Sequence, residues 1–165
     1  MNGAGVTLRP ATDADYEFMR RLYASTREAE MAHFPFDEAE KRTFLDAQFA
    51  AQFAHYGTHY PTCERNIIEC DSVPAGRLWI DEWRDQIRLV DIALIAECRG
   101  RGIGTTLLRQ VMDRGAAAGK PVTIHVETFN PALRLYERLG FEPIDTNGAY
   151  LLMRWTPPGV TPAPS

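Results

Sequence analysis

Cysteine is scarce in this chain of 165 residues, which has only Cys63, Cys70 and Cys98 and no Cys-x-x-Cys pair. Three cysteines cannot all pair with one another, so we expect reduced thiols and a cytoplasmic location. Long apolar runs are also missing, and none approaches the ~18 residues that a membrane span needs. The N-terminal segment MNGAGVTLRP lacks the basic and then apolar pattern of a secretory signal peptide. The sequence therefore argues against a disulfide-rich secreted domain and against a membrane protein.

An excess of basic charge is missing too, since 18 lysines and arginines stand against 22 aspartates and glutamates, a formal charge of −4. A mildly acidic protein has no overall field that attracts nucleic acid or an anionic membrane, and we expect neither as a partner. The basic charge is nevertheless concentrated. Residues 98–120 hold five basic residues and one acidic residue, a local charge of +4 beside a remainder of −8. This basic, glycine-rich segment indicates a local anion site.

The pattern of elements predicts the fold class. Apolar residues make up 45% of the chain and charged residues 24%, as in ordinary globular domains. Alternation, helical spacing and turn signals give the order β-α-α-β-β-β-α-β-α-β-β. This order predicts a single-domain α+β fold, with a mixed, mostly antiparallel sheet of about seven strands flanked by about four helices. We place the domain at residues 1–155 and an irregular, proline-rich tail at residues 156–165.

Caps and turn residues set the predicted boundaries. One helix is expected from about Asp13 to Glu28, and a second, capped by Asp37, to about Tyr56. Residues 73–76 and the pair Asn147-Gly148 are predicted turns. The strand predicted over residues 87–95 is almost continuously apolar from Leu89 onward, which is typical of a central buried strand, and Asp91 interrupts it.

A glycine-rich segment, Arg99-Gly100-Arg101-Gly102-Ile103-Gly104, stands between this strand and a predicted helix. Glycines let the backbone curl closely, and the N–H groups of the following helix favour an anion, so the segment predicts a phosphate cradle. Neither the Rossmann nor the Walker pattern fits it, because the late glycine and the Gly-Lys-Ser/Thr sequence are both missing. A tight turn with two solvated arginines is the alternative.

The segment resembles the acyl-CoA signature of the GNAT N-acetyltransferase superfamily in its pattern Arg99-x-x-Gly102-x-Gly104. Residues 130–141, NPALRLYERLGF, resemble that family's second characteristic segment, and LRPATDAD at residues 8–15 is similar to its typical opening. Two independent motifs in the family's order, about 26 residues apart, are stronger evidence than either alone. The resemblance covers roughly residues 6–155 and implies the GNAT fold with acetyl-CoA as co-substrate.

The resemblance also implies which residues contact the cofactor. The strand before the signature offers free backbone groups to the pantetheine arm, the loop amides hold the pyrophosphate, and the second motif contacts the cofactor near its helix. These residues are Ile92, Ala93 and Leu94 in the strand, Arg99, Gly100, Arg101, Gly102, Ile103, Gly104 and Thr105 in the loop, and Asn130 and Tyr136 in the second motif. Asn130 can also be a plain helix cap, and both roles can hold at once.

The catalytic assignments carry alternatives. Tyr136 matches the family's general acid toward the departing thiolate, and its alternative is a packed aromatic side chain. His125, where some members have a glutamate, is a candidate general base with a suitable pKa. Asp91 is the other candidate, because a lone carboxylate in an apolar strand would have a raised pKa. Glu127 and Glu69 are weaker candidates, and a water relay would leave no single base.

A third set of residues, His55, His59 and Cys63, recurs every four positions. We predict no metal site there, because Gly57 and Pro61 interrupt the helical spacing and no Cys-x-x-Cys pair accompanies it. In this superfamily the two N-terminal helices form the variable wall of the acceptor site. The aromatic and histidine side chains expected to cover that site are His33, Phe34, Phe36, Phe53, Tyr56, His59 and Tyr60.

The function that follows from the resemblance is transfer of an acetyl group from acetyl-CoA to a primary amine by direct attack in a ternary complex. The amine belongs to a small molecule or to a protein, and a homodimer is compatible with this function. A non-catalytic CoA-binding sensor with the same fold is the alternative. A nucleotide-binding domain that uses the glycine loop for another phosphate ligand is the weaker third hypothesis.

Overall fold

Seven strands form one sheet in the part of the chain that the structure, a computed structural model, describes, residues 5–161. The strands are β1 (Val6–Pro10), β2 (Glu64–Cys70), β3 (Val73–Glu82), β4 (Ile87–Leu94), β5 (Val122–Glu127), β6 (Glu142–Asn147) and β7 (Tyr150–Trp155). Their order is β1-β2-β3-β4-β5-β7-β6, and β4 with β5 is the parallel pair among antiparallel neighbours. The predicted mixed, mostly antiparallel sheet is confirmed.

Five α-helices accompany the sheet within the described residues. They are α1 (Tyr16–Thr26), α2 (Glu28–Met31), α3 (Glu38–His59), α4 (Ile103–Ala118) and α5 (Leu133–Leu139), and none is long and apolar enough to cross a membrane. The fifth helix arises because the helix predicted over residues 13–28 is broken at Arg27. Just before the break, the hydroxyls of Ser25 and Thr26 donate to the carbonyl oxygens of Leu22 and Tyr23. Such bonds compete with helix propagation.

Two predicted boundaries are wrong. α3 begins where expected, since Asp37 accepts a hydrogen bond from the N–H of Glu40, but it continues past Tyr56 to His59 because a single glycine is tolerated inside a helix. The predicted turn at residues 73–76 is already part of β3. The chain turns instead at Asp71 and Ser72, whose φ angles are 51° and 67°. The turn at Asn147-Gly148 is confirmed, with a φ of 62° at Gly148.

Apolar side chains pack on both faces of the sheet. One face of alternating residues, including Leu78, Leu89 and Ile124, packs with α4 and α5 in the larger core. The opposite face, including Ile67 and Trp79, packs with α1 and α3 in a second core. Residues 156–161 of the predicted tail contain a turn but no helix or strand, and residues 162–165 lie outside the described range.

Two glycine-to-alanine replacements are expected to change stability in opposite directions. A Cβ on Gly76 would overlap the backbone carbonyl oxygen of Ala93, so Gly76→Ala should lower the free energy of unfolding by about 2 kcal/mol or more, as overpacking does. Gly57 lies inside α3, and a Cβ there would meet only the end of the Arg65 side chain, 3.5 Å away. Gly57→Ala should therefore raise the free energy of unfolding by about 0.5–1 kcal/mol through helix propensity. Urea denaturation measures both, and equal effects would contradict the packing at Gly76.

Candidate active site

β4 and β5 separate near the middle of the sheet. Their parallel pairing covers three residue pairs, from Ile87 with Val122 to Leu89 with Ile124. Beyond this point β5 continues beside β7, while residues 91–94 of β4 pair with β3 alone. We call the opening between residues 90–94 and 125–127 the β4–β5 gap. The backbone groups on the β4 side of the gap are free to pair with an extended, amide-bearing ligand.

The three strand residues predicted to contact the cofactor lie on this free edge. Ile92, Ala93 and Leu94 are half-buried and keep their pairing with β3 on the opposite edge. A bulge marks the start of the gap, since Trp79 pairs with Asp91 and Ile80 with Leu89, which leaves the residue between them unpaired. Bulges re-aim side chains at such positions.

The glycine loop, residues 99–104, leads from the end of β4 into α4. Gly100 and Gly102 have φ angles of 74° and 79°, values that favour glycine. Gly102 is the N-cap of α4, so no side chain caps the helix, and the first turn has no acidic residue. The first N–H groups of the helix, those of Ile103, Gly104 and Thr105, have no carbonyl partner within the helix. Such a terminus favours a phosphate.

The space over the glycine loop is open. A Cβ built on Gly100, Gly102 or Gly104 would meet no atom within 4 Å. The loop therefore leaves room for a pyrophosphate against its backbone, and the donors present are the ones that an anion requires. The residues of the loop fit the diphosphate of coenzyme A.

The two arginines of the loop differ in their contacts. The Nε–H of Arg99 donates to the carbonyl oxygen of Leu94, 2.9 Å away, and so ties the loop to the end of the free β4 edge. Arg101 is exposed and lines a cavity between the loop and the β2–β3 hairpin. Both charges belong to the loop, but neither side chain is held over the open space by a hydrogen bond among the described residues.

Tyr136 is buried where α5 meets the sheet. It is 4% exposed, and its ring packs edge-on against Phe141 at a centroid distance of 5.8 Å. Burial raises the pKa of Tyr136 well above its usual value, and the negative charge of Asp91 adds to the rise. The phenol therefore stays protonated at neutral pH and lies within electrostatic reach of the carboxylate at the β4 bulge.

Asp91 has a buried partner. The Arg77 guanidinium, from β3, forms an ion pair with the Asp91 carboxylate. It also lies 4.9 Å from the ring centroid of Trp79 and donates a hydrogen bond to the side-chain oxygen of Gln52 at 3.2 Å. The prediction that Asp91 is an isolated carboxylate is therefore wrong. The local sequence could not reveal the pair, because it depends on the register between β3 and β4. The available signal was an arginine directly before the apolar run Leu78-Trp79-Ile80.

The same region carries a tyrosine from α3. Burial raises the pKa of Tyr56, and the charges of Asp91 and of the neighbouring phenols Tyr60 and Tyr150 contribute to the rise. The Tyr56 ring packs on Trp79 at 5.5 Å. The Asp91 charge thus contributes to the raised pKa of both Tyr136 and Tyr56.

The sequence model of the acetyltransferase (GNAT) family matches residues 17–141, which is well over half of the chain. The chain belongs to the GNAT acetyltransferase family. The matched range contains α1 from its second residue, the glycine loop, the β4–β5 gap and the second motif as far as Phe141. No curated protein matches the sequence.

Solved structures have the same fold as this GNAT protein. The PaiA N-acetyltransferase of Thermoplasma acidophilum, in complex with coenzyme A, is 16% identical over 92% of this chain and 98% of its own, with a TM-score of 0.70. An acetyltransferase of Thermus thermophilus is 16% identical over 94% of this chain and 99% of its own, with a TM-score of 0.68. YncA of Salmonella typhimurium, solved with acetyl-CoA, is 19% identical over 92% of this chain and 94% of its own, with a TM-score of 0.53. At such identities the similarity establishes the GNAT fold that the sequence predicts.

His125 is the first residue of β5 beyond the last β4–β5 pair of this GNAT domain, Leu89 with Ile124. The residue is largely exposed, and partial desolvation of the ring followed by the charge of Arg88 lowers its pKa, against the opposing charge of Asp145. A lowered pKa leaves the imidazole neutral at pH 7 and able to accept a proton. Among residues 5–161, no described interaction joins His125 to Asp91 or Tyr136.

Asn130 lies in the turn before α5 and is not its N-cap, which is Ala132. The side-chain oxygen of Asn130 accepts a hydrogen bond from the N–H of Ala132 at 2.8 Å, and so closes this turn. The amide nitrogen of the side chain is left for another partner. At the other end of the helix, Gly140 adopts a φ of 102° and ends α5.

The aromatic residues near α3 divide into two groups. Phe53, Tyr56 and Tyr60 pack toward Trp79 and Trp83, whereas Phe34 and Phe36 form an exposed cluster with Phe44. The rings of His55 and His59 stack on each other at 3.9 Å. Within the described residues, no three histidine, cysteine or acidic side chains are grouped to hold a metal ion.

Proposed function

We propose that the protein transfers an acetyl group from acetyl-CoA to a primary amine by direct attack in a ternary complex. The observation that carries this proposal is the β4–β5 gap, whose free strand edge ends at the open glycine loop. Asp91 at the bulge that begins the gap is within electrostatic reach of Tyr136. A strand edge and a phosphate cradle joined in this way suit a ligand with amides at one end and phosphates at the other.

The chain's own groups divide the binding of the cofactor among them. The free edge at Ile92, Ala93 and Leu94 pairs with the pantetheine arm through the backbone groups that β3 and Arg99 leave unpaired. The amides of residues 100–105 hold the pyrophosphate. Arg99 and Arg101 add positive charge to the loop. Asn130 keeps its hydrogen bond from Ala132 and offers its side-chain amide N–H groups to the cofactor.

Bound acetyl-CoA supplies an acyl group activated as a thioester, which leaves a thiolate when the amine attacks. Tyr136 holds its proton at neutral pH, because burial and the Asp91 charge oppose ionisation. The phenol can therefore donate this proton toward the sulfur as negative charge develops there. The free N–H groups of the β4 edge can stabilise charge on the carbonyl oxygen, as in an oxyanion site.

The amine must lose a proton before or during its attack. We infer that Asp91 attracts the cationic amine and accepts its proton, because this carboxylate is held by Arg77 at the bulge and acts electrostatically on Tyr136. Arg77 is 3% exposed, and it positions Asp91 without facing the amine. His125 remains the second candidate base.

Replacing the two candidate bases should separate their roles. Asp91→Asn, which keeps an oxygen acceptor for Arg77, is expected to lower kcat about 100-fold, because an amide cannot accept the proton of the amine. His125→Ala should change kcat by less than about threefold. The measurement is kcat at saturating acetyl-CoA and amine, with thermal unfolding as the control for folding. If His125→Ala lowers kcat about 100-fold and Asp91→Asn does not, the base is His125.

Turnover with a panel of amines tests the function itself. Release of free thiol from acetyl-CoA is measured with polyamines, aminoglycosides and peptides that carry a lysine or a free N-terminal amine. We expect turnover with at least one cationic amine, because the chain outside residues 98–120 carries a charge of −8. Tight binding of acetyl-CoA without turnover across the panel would instead favour the CoA-binding sensor.

A further inference from the structure

A cavity of about 250 Å³ lies on the side of the glycine loop that faces the β2–β3 hairpin. Cys70 and Ala75 line it from the hairpin, and Cys98, Arg101 and Ile103 line it from the loop side. None of these side chains has a part in the proposed transfer except Arg101 and Ile103, which belong to the cofactor loop. The cavity therefore borders the glycine loop.

Two of the three thiols of the chain meet at this cavity. Cys70 is half-buried and Cys98 is 8% exposed, and both pack against the same apolar core. Burial raises the pKa of Cys98, and the neighbouring Cys70 contributes to the rise. Cys63 lies elsewhere, against the second core. Twenty-eight positions separate Cys70 from Cys98 in the sequence, and folding brings them together.

The two cysteines are held with different firmness. Cys70 is the last residue of β2 and pairs with Val6 of β1 and Val73 of β3. Cys98 ends a single 3-10 turn, and its N–H donates to the carbonyl oxygen of Ile95 at 3.0 Å. The glycine loop begins at the next residue. Any movement that brings the two sulfur atoms closer should therefore displace Cys98, and with it the loop.

We propose that Cys70 and Cys98 form a redox-active pair whose disulfide draws the glycine loop toward the hairpin and weakens cofactor binding. With hydrogen peroxide as oxidant, the more accessible Cys70 sulfur attacks one peroxide oxygen, the O–O bond breaks, and a sulfenic acid and water form. The Cys98 sulfur then attacks the sulfenic sulfur, the S–O bond breaks, and a second water leaves. Two thiols are oxidised to one disulfide, and one peroxide is reduced to two waters.

The expected effect on coenzyme A affinity follows from the short sulfur–sulfur distance of a disulfide. A disulfide requires the sulfur atoms to approach to about 2.05 Å, which is closer than two thiols in contact. The shift falls on the 3-10 turn, so the contact between Arg99 and the Leu94 carbonyl and the position of Gly100 both change. This coupling, unlike the disulfide, rests on the proposed function of the loop. We expect the dissociation constant of coenzyme A to rise about tenfold, within the range usual for coupled sites.

Peptide mapping of the full chain tests the pair directly. Reduced protein is treated with hydrogen peroxide, free thiols are alkylated, and the digest is analysed by mass spectrometry with and without dithiothreitol. The expected product is a reducible Cys70–Cys98 linkage, lower in mass by two hydrogens, which Cys63→Ser retains and both Cys70→Ser and Cys98→Ser lose. Sulfinic or sulfonic acid at Cys70 without this linkage, or a linkage to Cys63, overturns the proposal.

Calorimetric titration of coenzyme A into the reduced and oxidised wild-type protein tests the coupling. A tenfold weaker affinity that dithiothreitol restores supports it, and an unchanged affinity of the disulfide-linked protein contradicts it. Absence of acetyl transfer would overturn the proposed function while leaving the mass-spectrometric result intact, so the two failures are distinguishable.

Discussion

Gly102→Glu is expected to abolish the binding of acetyl-CoA, raising its dissociation constant about 100-fold or more. The new carboxylate would enter the open space over the glycine loop, where a Cβ meets no atom within 4 Å. A negative charge beside a pyrophosphate costs several kcal/mol, and about 2.7 kcal/mol already corresponds to 100-fold. Isothermal titration with acetyl-CoA measures the loss.

Gly119→Glu is the matched control for this replacement. Gly119 also has a positive φ, 68°, and open space around its Cβ position, but it caps the opposite end of α4. Both variants pay a similar backbone strain of about 1–2 kcal/mol, and glutamate is less favourable at a helix C-terminus than at an N-terminus. Gly119→Glu should therefore be no more stable than Gly102→Glu and yet bind acetyl-CoA normally. If Gly102→Glu binds acetyl-CoA with unchanged affinity, the pyrophosphate does not bind at the glycine loop.

Tyr136→Phe is expected to lower kcat about 100-fold, the effect usual for loss of a general acid, while the dissociation constant of acetyl-CoA changes less than about twofold. Within residues 5–161 the hydroxyl makes no hydrogen bond, so its removal should leave the fold intact. The ring keeps its contact with Phe141. Steady-state rates together with equilibrium binding separate the two effects.

Tyr23→Phe is the control for the loss of a buried phenol. Tyr23 is 6% exposed and lies in the second core, where its hydroxyl donates to Gln48 at 3.4 Å. This variant should keep wild-type kcat and lose at most about 1 kcal/mol of unfolding free energy. A Tyr136→Phe enzyme as fast as Tyr23→Phe would exclude Tyr136 as the acid.

The candidate site divides into a part that the sequence predicted and a part that it did not. The glycine loop could be predicted because its chemistry is local: the glycines, the arginines and the start of α4 are neighbours in the chain. The second motif likewise carried Tyr136 and Asn130, although the N-cap of α5 is Ala132. In contrast, Arg77 became relevant to Asp91 only through the pairing of Trp79 with Asp91 across β3 and β4.

The errors in the element boundaries have a similar origin. The turn predicted at residues 73–76 is wrong because Asp71 and Ser72 adopt positive φ angles, which their short polar side chains tolerate better than most. Val73 then pairs directly with Cys70. Propensity alone could not choose between these two positions for the turn.

The sequence by itself determined the order of the elements, the glycine loop with its concentration of basic charge, and the resemblance to the GNAT family. These features depend on interactions between residues a few positions apart, such as caps, turns and helical spacing. The tertiary structure alone decided where β4 leaves β5, which charge pairs with Asp91, and that Cys70 meets Cys98. Each of these depends on strand register and on packing between distant segments, which no local pattern specifies.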